Sequence, residues 1–409
     1  MPTHYLTLTP FDPLIARDGR PFGRGQGNRM RGMSWFLPSV VAGAFRTALV
    51  KSGTGDFAPP VPDQLRKIAV AGPLPAAEGK LYLPAPKDCL LGKPVAADCT
   101  QPLQLFQLRP HRLQENEGVD FPGEAGGLQP VLLAEEQSSE DFKPQPPPAW
   151  WPLEKYVQWL TTYREEWDIC WFDESFLHSP LRQMRDHVSL NPQRGVAEEH
   201  LLFATANLYV NALPRYLPAS QTPPGEPAFL DRYVPIALSA RVELSENQSL
   251  PEGAPPLKDW STWHPLGGER RLVHWQTADQ GHLWQCPEEV KQALEKTQYV
   301  RMVLVTPAIF TSGWRPGWLN NGLKGTFAGV ELELVGVCCG RWQAVSGWCL
   351  ENQKPKATRR MVPAGSVYFF RCPSGGAEKL AEEWLRSVCD EEQERRDGFG
   401  LAVWGTWKP

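Results

Sequence analysis

The sequence carries none of the short motifs by which common catalysts are recognised. Gly-x-Ser-x-Gly, HExxH and Walker-type patterns are all missing, which leaves a serine nucleophile elbow, a helical zinc-protease site and a phosphate-binding P-loop without support. No CxxC pair occurs and the eight histidines do not fall at zinc-ligand spacing, so neither a structural metal nor a cofactor is expected. Nine cysteines, odd in number and irregular in spacing, suit reduced thiols better than a disulfide framework. Long apolar runs are lacking too. No stretch approaches the ~18 consecutive apolar residues of a membrane span, and the opening MPTHYLTLTPFDPL has neither a basic n-region nor an apolar h-region. A soluble, cytoplasmic protein without membrane contact is expected.

What is present points to two domains with many turns. The 409 residues exceed one small core, and 41 prolines with 35 glycines argue against long helical bundles. A formal net charge of −4 speaks against a general nucleic-acid coat. The charge is unevenly spread. Residues 1–52 hold seven Lys/Arg (Arg17, Arg20, Arg24, Arg29, Arg31, Arg46, Lys51) against Asp12 and Asp18, a local balance of +5 that leaves −9 for the remainder. A second basic stretch, Lys354, Lys356, Arg359, Arg360 and Arg371, has no acid between its ends. Two basic islands on an acidic body mark localised anion sites.

Along the chain, residues 4–9 alternate as a half-buried strand does. A glycine- and proline-punctuated loop follows from Phe11 to Gly32, and then a helix that Pro38 and Ser39 start and Ser52-Gly53 end. Residues 54–150 are less readable, with short apolar runs at residues 81–84 and 103–108. The acids Glu135, Glu136, Glu140 and Asp141 followed by KPQPPPAWWP read as a polyproline-like surface insertion. A helix is predicted over residues 153–166. Residues 185–210 read as a long hairpin turning at Asn191-Pro-Gln-Arg-Gly195. The proline-rich residues 217–227 give the domain boundary, dividing the chain into 1–217 and 228–409. In the second part, strands at 299–306, 329–337, 366–371 and 401–407, with a short helix after the first and a helix over 377–388, give βαββαβ, the ferredoxin-like order.

The loop FDPLIARDGRPFGRGQGNRMRG places five arginines within fifteen residues among glycines. Guanidiniums and bare amides of this kind suit phosphates, and Phe11, Phe22 and Trp35 are candidates to stack on bases. For Arg17 and Asp18, a pair that pins a turn is an equal alternative. DGFGLAVWGTW near the C-terminus holds Gly398, Gly400 and Gly405 after a helix and before a strand, the reverse of a dinucleotide fingerprint. It allows either close backbone approach to another chain or RNA, or helix capping by Gly398. Tryptophans beside arginines at residues 311–321 and 340–360 suit stacking, although core anchoring is the better reading for any one of the 17. His4, His178, His187 and His200 are the candidates for metal-independent ribonuclease chemistry, yet nothing in the sequence pairs one with a partner.

At these residues the chain resembles the RAMP superfamily, and within it the third-numbered subunit of the type III-B CRISPR-Cas Cmr effector. The resemblance lies in DPLIARDGRPFG with LPSVVAGAFR, then HVSLNPQRGVAEEHLLF, TPAIFTSGWRPGWL, SGWCLENQKPKATRRMVPAGSVYFF and the final glycine loop, in that order. It implies an α+β fold of two tandem ferredoxin-like (RRM-like) domains with long loop and hairpin insertions. It also implies a non-catalytic role gripping the repeat-derived 5′ tag of CRISPR RNA (crRNA). The implied partners are the large polymerase-like subunit and the first backbone RAMP subunit, with target RNA met indirectly and its cleavage left to other subunits. The central hairpin, with Arg194 near its tip, is then a candidate thumb along the guide. The expected RNA-binding residues are Arg17, Arg20, Arg24, Arg29, Arg31, Arg46, Arg194, Lys354, Lys356, Arg359, Arg360, Gly398 and Gly400. The alternatives are a RAMP endoribonuclease processing precursor crRNA and a protein-interaction scaffold without RNA.

Overall fold

The computed structural model describes the chain apart from residues 1, 19–27, 96–102, 122–126, 134–141, 218–231, 245–249, 321–322 and 350–353. The first half is built on β1 (Thr3–Pro10), β2 (Ala69–Ala77), β3 (Lys80–Pro84), β4 (Trp150–Pro152), a long hairpin of β5 (Leu181–Leu190) and β6 (Ala197–Tyr209), β7 (Ala237–Glu243), β8 (Ser261–Pro265) and β9 (Leu272–Thr277). All but the hairpin join one antiparallel sheet in the order β4-β3-β2-β7-β1-β9-β8. Helix α1 (Pro38–Lys51) covers one face. Pro38 sits in its first turn, where a missing N–H costs nothing. Val41, Ala42, Phe45, Ala48 and Leu49 repeat at helical spacing and share a core with Leu6, Leu8, Val242 and Val273 of the sheet.

The second half begins with a short helix, α2 (Glu288–Glu295), and continues as β10 (Tyr299–Leu304), β11 (Lys324–Phe327), β12 (Val330–Cys338), a small ribbon of β13 (Gln343–Val345) and β14 (Arg359–Met361), β15 (Val367–Arg371), β16 (Arg386–Ser387) and β17 (Leu401–Thr406). Its sheet is antiparallel with the order β11-β12-β15-β10-β17-β16. The two halves share a plan. The strands β1, β2, β7 and β9 are laid out as second, third, first, fourth, and so are β10, β12, β15 and β17. In both, a projecting ribbon is inserted between the second and third of these strands.

Several expectations change here. The division at 217–228 is corrected, because β7 and β9 pair on either side of β1 and the first sheet takes strands as far as Thr277. Trp150-Trp151-Pro152, expected on the surface, is strand β4, and Trp151 is fully buried amid Trp159, Trp171, Phe172 and Phe176 at 5.2–5.6 Å between ring centroids. The helix expected over 153–166 stops at Thr161. The one expected over 377–388 is a 3-10 turn over Ala377–Glu383; Leu385 then takes a positive φ of 54° and its N–H bonds Ala402, which turns the chain into edge strand β16. No helix lies between β10 and β11 among the described residues; isolated bridges such as Phe310 to Gly313 take its place.

The halves are locked by buried polar contacts. Arg301 on β10 pairs with the fully buried Asp88 and also donates to the Trp159 carbonyl. Trp159 Nε1 occupies the other Asp88 oxygen at 3.0 Å. Such a pair is stable only with its hydrogen bonds complete. No helix among the described residues is long and apolar enough to cross a membrane.

Candidate nucleic-acid interface

The β5-β6 hairpin is the centre of the candidate site. It pairs from Leu181 with Tyr209 to Leu190 with Ala197, with one irregularity between Val188 and Leu190. The Asn191 side chain accepts from the Gln193 and Arg194 amides at 3.0 Å each, and Gly195 supplies φ +65°, so the Asn-Pro-Gln-Arg-Gly turn closes as its sequence requires. Arg194 is exposed at that turn. Beyond its base, Met184, Val188, Leu190, Val196 and Leu202 are exposed as well. A ribbon with this much apolar surface in water suits a partner that covers it.

The two legs of the arginine-glycine loop climb the base of this hairpin. Leu14 and Leu208 exchange backbone hydrogen bonds at 2.9 and 2.7 Å, and Asn28–Arg29 runs parallel to Phe203 and Ala204. Arg17 bridges Gly32, and the Asp18 amide donates to Arg31 at 3.2 Å. Ile15, Met30 and Ala206 pack between the legs and the hairpin. Arg17 and Arg31 are thus exposed on a rigid stem beside the ribbon. Arg20, Phe22 and Arg24 lie outside the described residues.

The second basic island forms another ribbon. Gln343–Val345 pairs with Arg359–Met361, and Trp348-Cys349 with Lys354-Pro355. Lys354, Lys356, Arg359 and Arg360 are all exposed on it. The Arg360 guanidinium lies 4.7 Å from the centroid of the Trp342 ring, a cation-π pair on the open surface. Arg359 is paired with the buried Glu394, so part of its charge is already neutralised. These two residues, Arg360, Glu391 and the loop Ile309–Gly313 line a cavity of about 500 Å³. No strand pairing or hydrogen bond joins the two basic ribbons among the described residues.

Three expected RNA-binding residues lie elsewhere. Arg46 is only 9% exposed, and its guanidinium bonds Asp397 Oδ1 at 2.5 Å, the Ile68 carbonyl at 2.7 Å and the Arg396 carbonyl at 3.1 Å. It ties α1 to the second half and is withdrawn from the surface. Gly398 and Gly400 are buried with φ of +83° and +69°. A Cβ on Gly398 would come 2.5 Å from the Val70 carbonyl of β2, and one on Gly400 would come 2.6 Å from Cys389 Sγ. The glycine loop makes its close approach to the chain's own first sheet, where only glycine fits.

Three of the four candidate histidines have described side chains. His187 stacks on Phe203 with centroids 4.9 Å apart, and its Nε2 meets Thr205 Oγ1 at 2.8 Å. Burial lowers the imidazoles of His4 and His178 below their ordinary value, and the His178 ring lies 5.6 Å from Tyr216. The His200 side chain is outside what is described. No cluster of three or more His, Cys, Asp or Glu fit for a metal occurs among the described residues. Sequence reasoning missed Arg182 and Arg185 on the hairpin and Arg271 at its base, where Nη2 meets Asn207 Oδ1 at 3.5 Å.

A sequence model of the family described as CRISPR-associated protein (Cas_Cmr3) matches residues 6–407. No curated protein matches. Among solved structures, the chain is similar to one in the type III-B Cmr-beta complex bound to cognate target RNA and AMPPnP (state 1), and to one in Cmr-beta bound to cognate target RNA. Each likeness has 13% identity, 89% coverage of this chain, 86% of the other and a TM-score of 0.43. A chain in the Csm3-Csm4 subcomplex of the type III-A interference complex matches with 9% identity, coverage of 99% and 100%, and a TM-score of 0.32. The class that the family match defines is that of type III CRISPR effector subunits. Within that class, the chain belongs to the Cas_Cmr3 family of CRISPR-associated proteins.

Proposed function

We propose that this chain is an RNA-holding, non-catalytic subunit of a type III-B Cmr complex that grips the 5′ repeat-derived tag of crRNA. The observation that carries the reading is the bonding of the arginine-glycine loop to the base of the exposed β5-β6 hairpin, which sets Arg17 and Arg31 beside a ribbon tipped by Arg194. Guanidiniums on a rigid stem neutralise phosphates, while an exposed ribbon with apolar residues lies along bases. The strand order shared by the halves supports two modified ferredoxin-like units, each extended by a ribbon. The same reading assigns the large polymerase-like subunit and the first backbone RAMP subunit as neighbours, with target RNA met through the guide.

The test uses the full chain and end-labelled RNA carrying the tag. Replacing Arg20 and Arg24 with alanine weakens binding and reduces the salt slope by about 0.7 for each single-strand phosphate that is no longer neutralised. The RNA stays intact without metal. Site-specific cutting that a His187 substitution abolishes would establish the ribonuclease alternative instead.

A further inference from the structure

The first sheet has an open face that the RNA-holding reading has not used. Residues paired directly across strands share a face, so Thr7 and Thr9 of β1 lie with Ser239 of β7 and with His274 and Gln276 of β9; Trp263 and Ser261 of β8 complete the row. The β7 side of this face is covered. Ser239 is fully buried beneath Trp284 Nε1 at 3.1 Å, and Arg241 donates to the Leu385 carbonyl at 3.0 Å. The β9-β8 side carries nothing over it among the described residues. There Phe11 is 71% exposed, Trp263 57% and Leu272 41%.

These rings are held in place. Phe11 is anchored by its amide to the Leu272 carbonyl at 3.0 Å and meets Trp263 edge-on, with centroids 6.2 Å apart and planes at 84°. Trp263 lies over His274 at 4.9 Å and 33°, and the His274 ring is fixed by Ser261 Oγ at 2.8 Å from Nε2. A preformed aromatic surface on a sheet loses little entropy on stacking. Its surroundings are cationic at one end. The β8-β9 turn carries Arg270 and Arg271, and its Gly268 amide bonds the Ile15 carbonyl at 3.1 Å, at the root of the arginine-glycine loop. Arg271 reaches Asn207 at the hairpin base. Nearby acids are Glu269 in that turn and Asp12, whose Oδ2 accepts the Leu272 amide at 3.4 Å.

We infer that Phe11, Trp263 and His274 form a stacking platform for an unpaired base of single-stranded RNA, continuous with the hairpin and the arginine loop. The identity of the occupant rests on the RNA-holding reading. A nucleic acid fits better than a protein because the surface is flat, aromatic and joined to arginines, whereas a protein hot spot needs a desolvated pocket.

The experiment measures binding of the full-length chain to an iodouridine-labelled single-stranded RNA octamer at several salt concentrations, with photocrosslink mapping. Trp263→Ala is expected to weaken binding about 5- to 150-fold with an unchanged salt slope, since stacking releases no counterions. Trp263→Phe restores most of the affinity, and crosslinks fall on Trp263 or Phe11. Unchanged thermal melting separates this loss from misfolding, and Phe11→Ala provides an independent variant. Suppose Arg17→Ala and Arg31→Ala reduce affinity and slope while both aromatic variants bind as wild type; the platform is then refuted and the RNA-holding reading stands. If no variant changes binding, or wild type does not bind, both fail. Loss of a co-purifying subunit from Trp263→Ala, with RNA affinity intact, would make the surface a protein dock and overturn the inference.

Discussion

Arg46→Ala separates a structural arginine from an RNA-binding one. Arg46 makes three bonds, to Asp397 and to two backbone carbonyls, in an interface where its own side chain and that of Asp397 are 10% and 13% exposed. Removing it leaves Asp397 buried with Gln393 Nε2 as its remaining side-chain donor at 2.9 Å. Truncating one member of a buried pair costs about 3–5 kcal/mol, because the other charge stays unpaired. Two carbonyls lose their donor as well, each worth roughly 1 kcal/mol when buried. The upper end of the pair's range is therefore expected. Urea unfolding of the full chain, followed by tryptophan fluorescence, reads the loss, and the double variant Arg46→Met with Asp397→Leu recovers much of it. RNA binding, measured below the unfolding transition, keeps its wild-type salt slope. Unchanged stability together with a slope reduced by about 0.7 would show that Arg46 meets a phosphate after all.

Other perturbations follow from the same geometry. Asp88→Asn leaves the buried Arg301 without its counter-charge, and a loss of about 3–5 kcal/mol in unfolding free energy is expected; a change below about 1 kcal/mol would mean that the pair does not lock the halves. Arg360→Ala removes a surface cation-π pair worth roughly 0.5–1 kcal/mol, so its unfolding midpoint should barely move while RNA affinity falls; unaltered affinity would remove the second ribbon from the RNA surface. Burial lowers the imidazoles of His4, His178 and His264, so the unfolded chain takes up their protons more readily. The stability they contribute is complete above the ordinary imidazole value of about 6.5 and is lost as the pH falls through the lower folded values. Unfolding midpoints at pH 7.5 and 5.5 should show that decline, and replacing all three with glutamine should flatten it; a midpoint that rises on acidification contradicts the sign.

The legible parts of the chain were those whose local rules and tertiary roles agree. Alternation marked β1, Pro38 with the helical repeat marked α1, and Asn191-Pro-Gln-Arg-Gly195 marked the hairpin. Strand β2 was hidden because it carries Pro73 and Pro75, which sequence rules keep out of a central strand. The structure accommodates them with a register shift between Ser239 and Arg241 on the partner strand. The domain boundary was misplaced for a related reason. Residues 217–227 are rich in proline, yet β7 and β9 return afterwards to flank β1, a long-range pairing that no local pattern records. Buried arginines were equally unreadable: Arg46 and Asp397 are 351 positions apart, and an arginine near a basic loop carries no mark of which way its side chain turns. Gly398 was expected either to bring the backbone close to another chain or RNA or to cap a helix; it follows the helix Glu392–Arg396 at a positive φ, as a cap does, and the backbone it approaches is β2 of the same chain.

The most direct test of RNA held between the arginine loop and the β5-β6 hairpin is a protein-RNA crosslink map of the chain purified with its co-expressed partners and crRNA. Crosslinks are expected from the tag to residues 11–32 and to the hairpin around Arg194. A map with crRNA fully occupied and no crosslink in either segment would contradict that placement of the RNA.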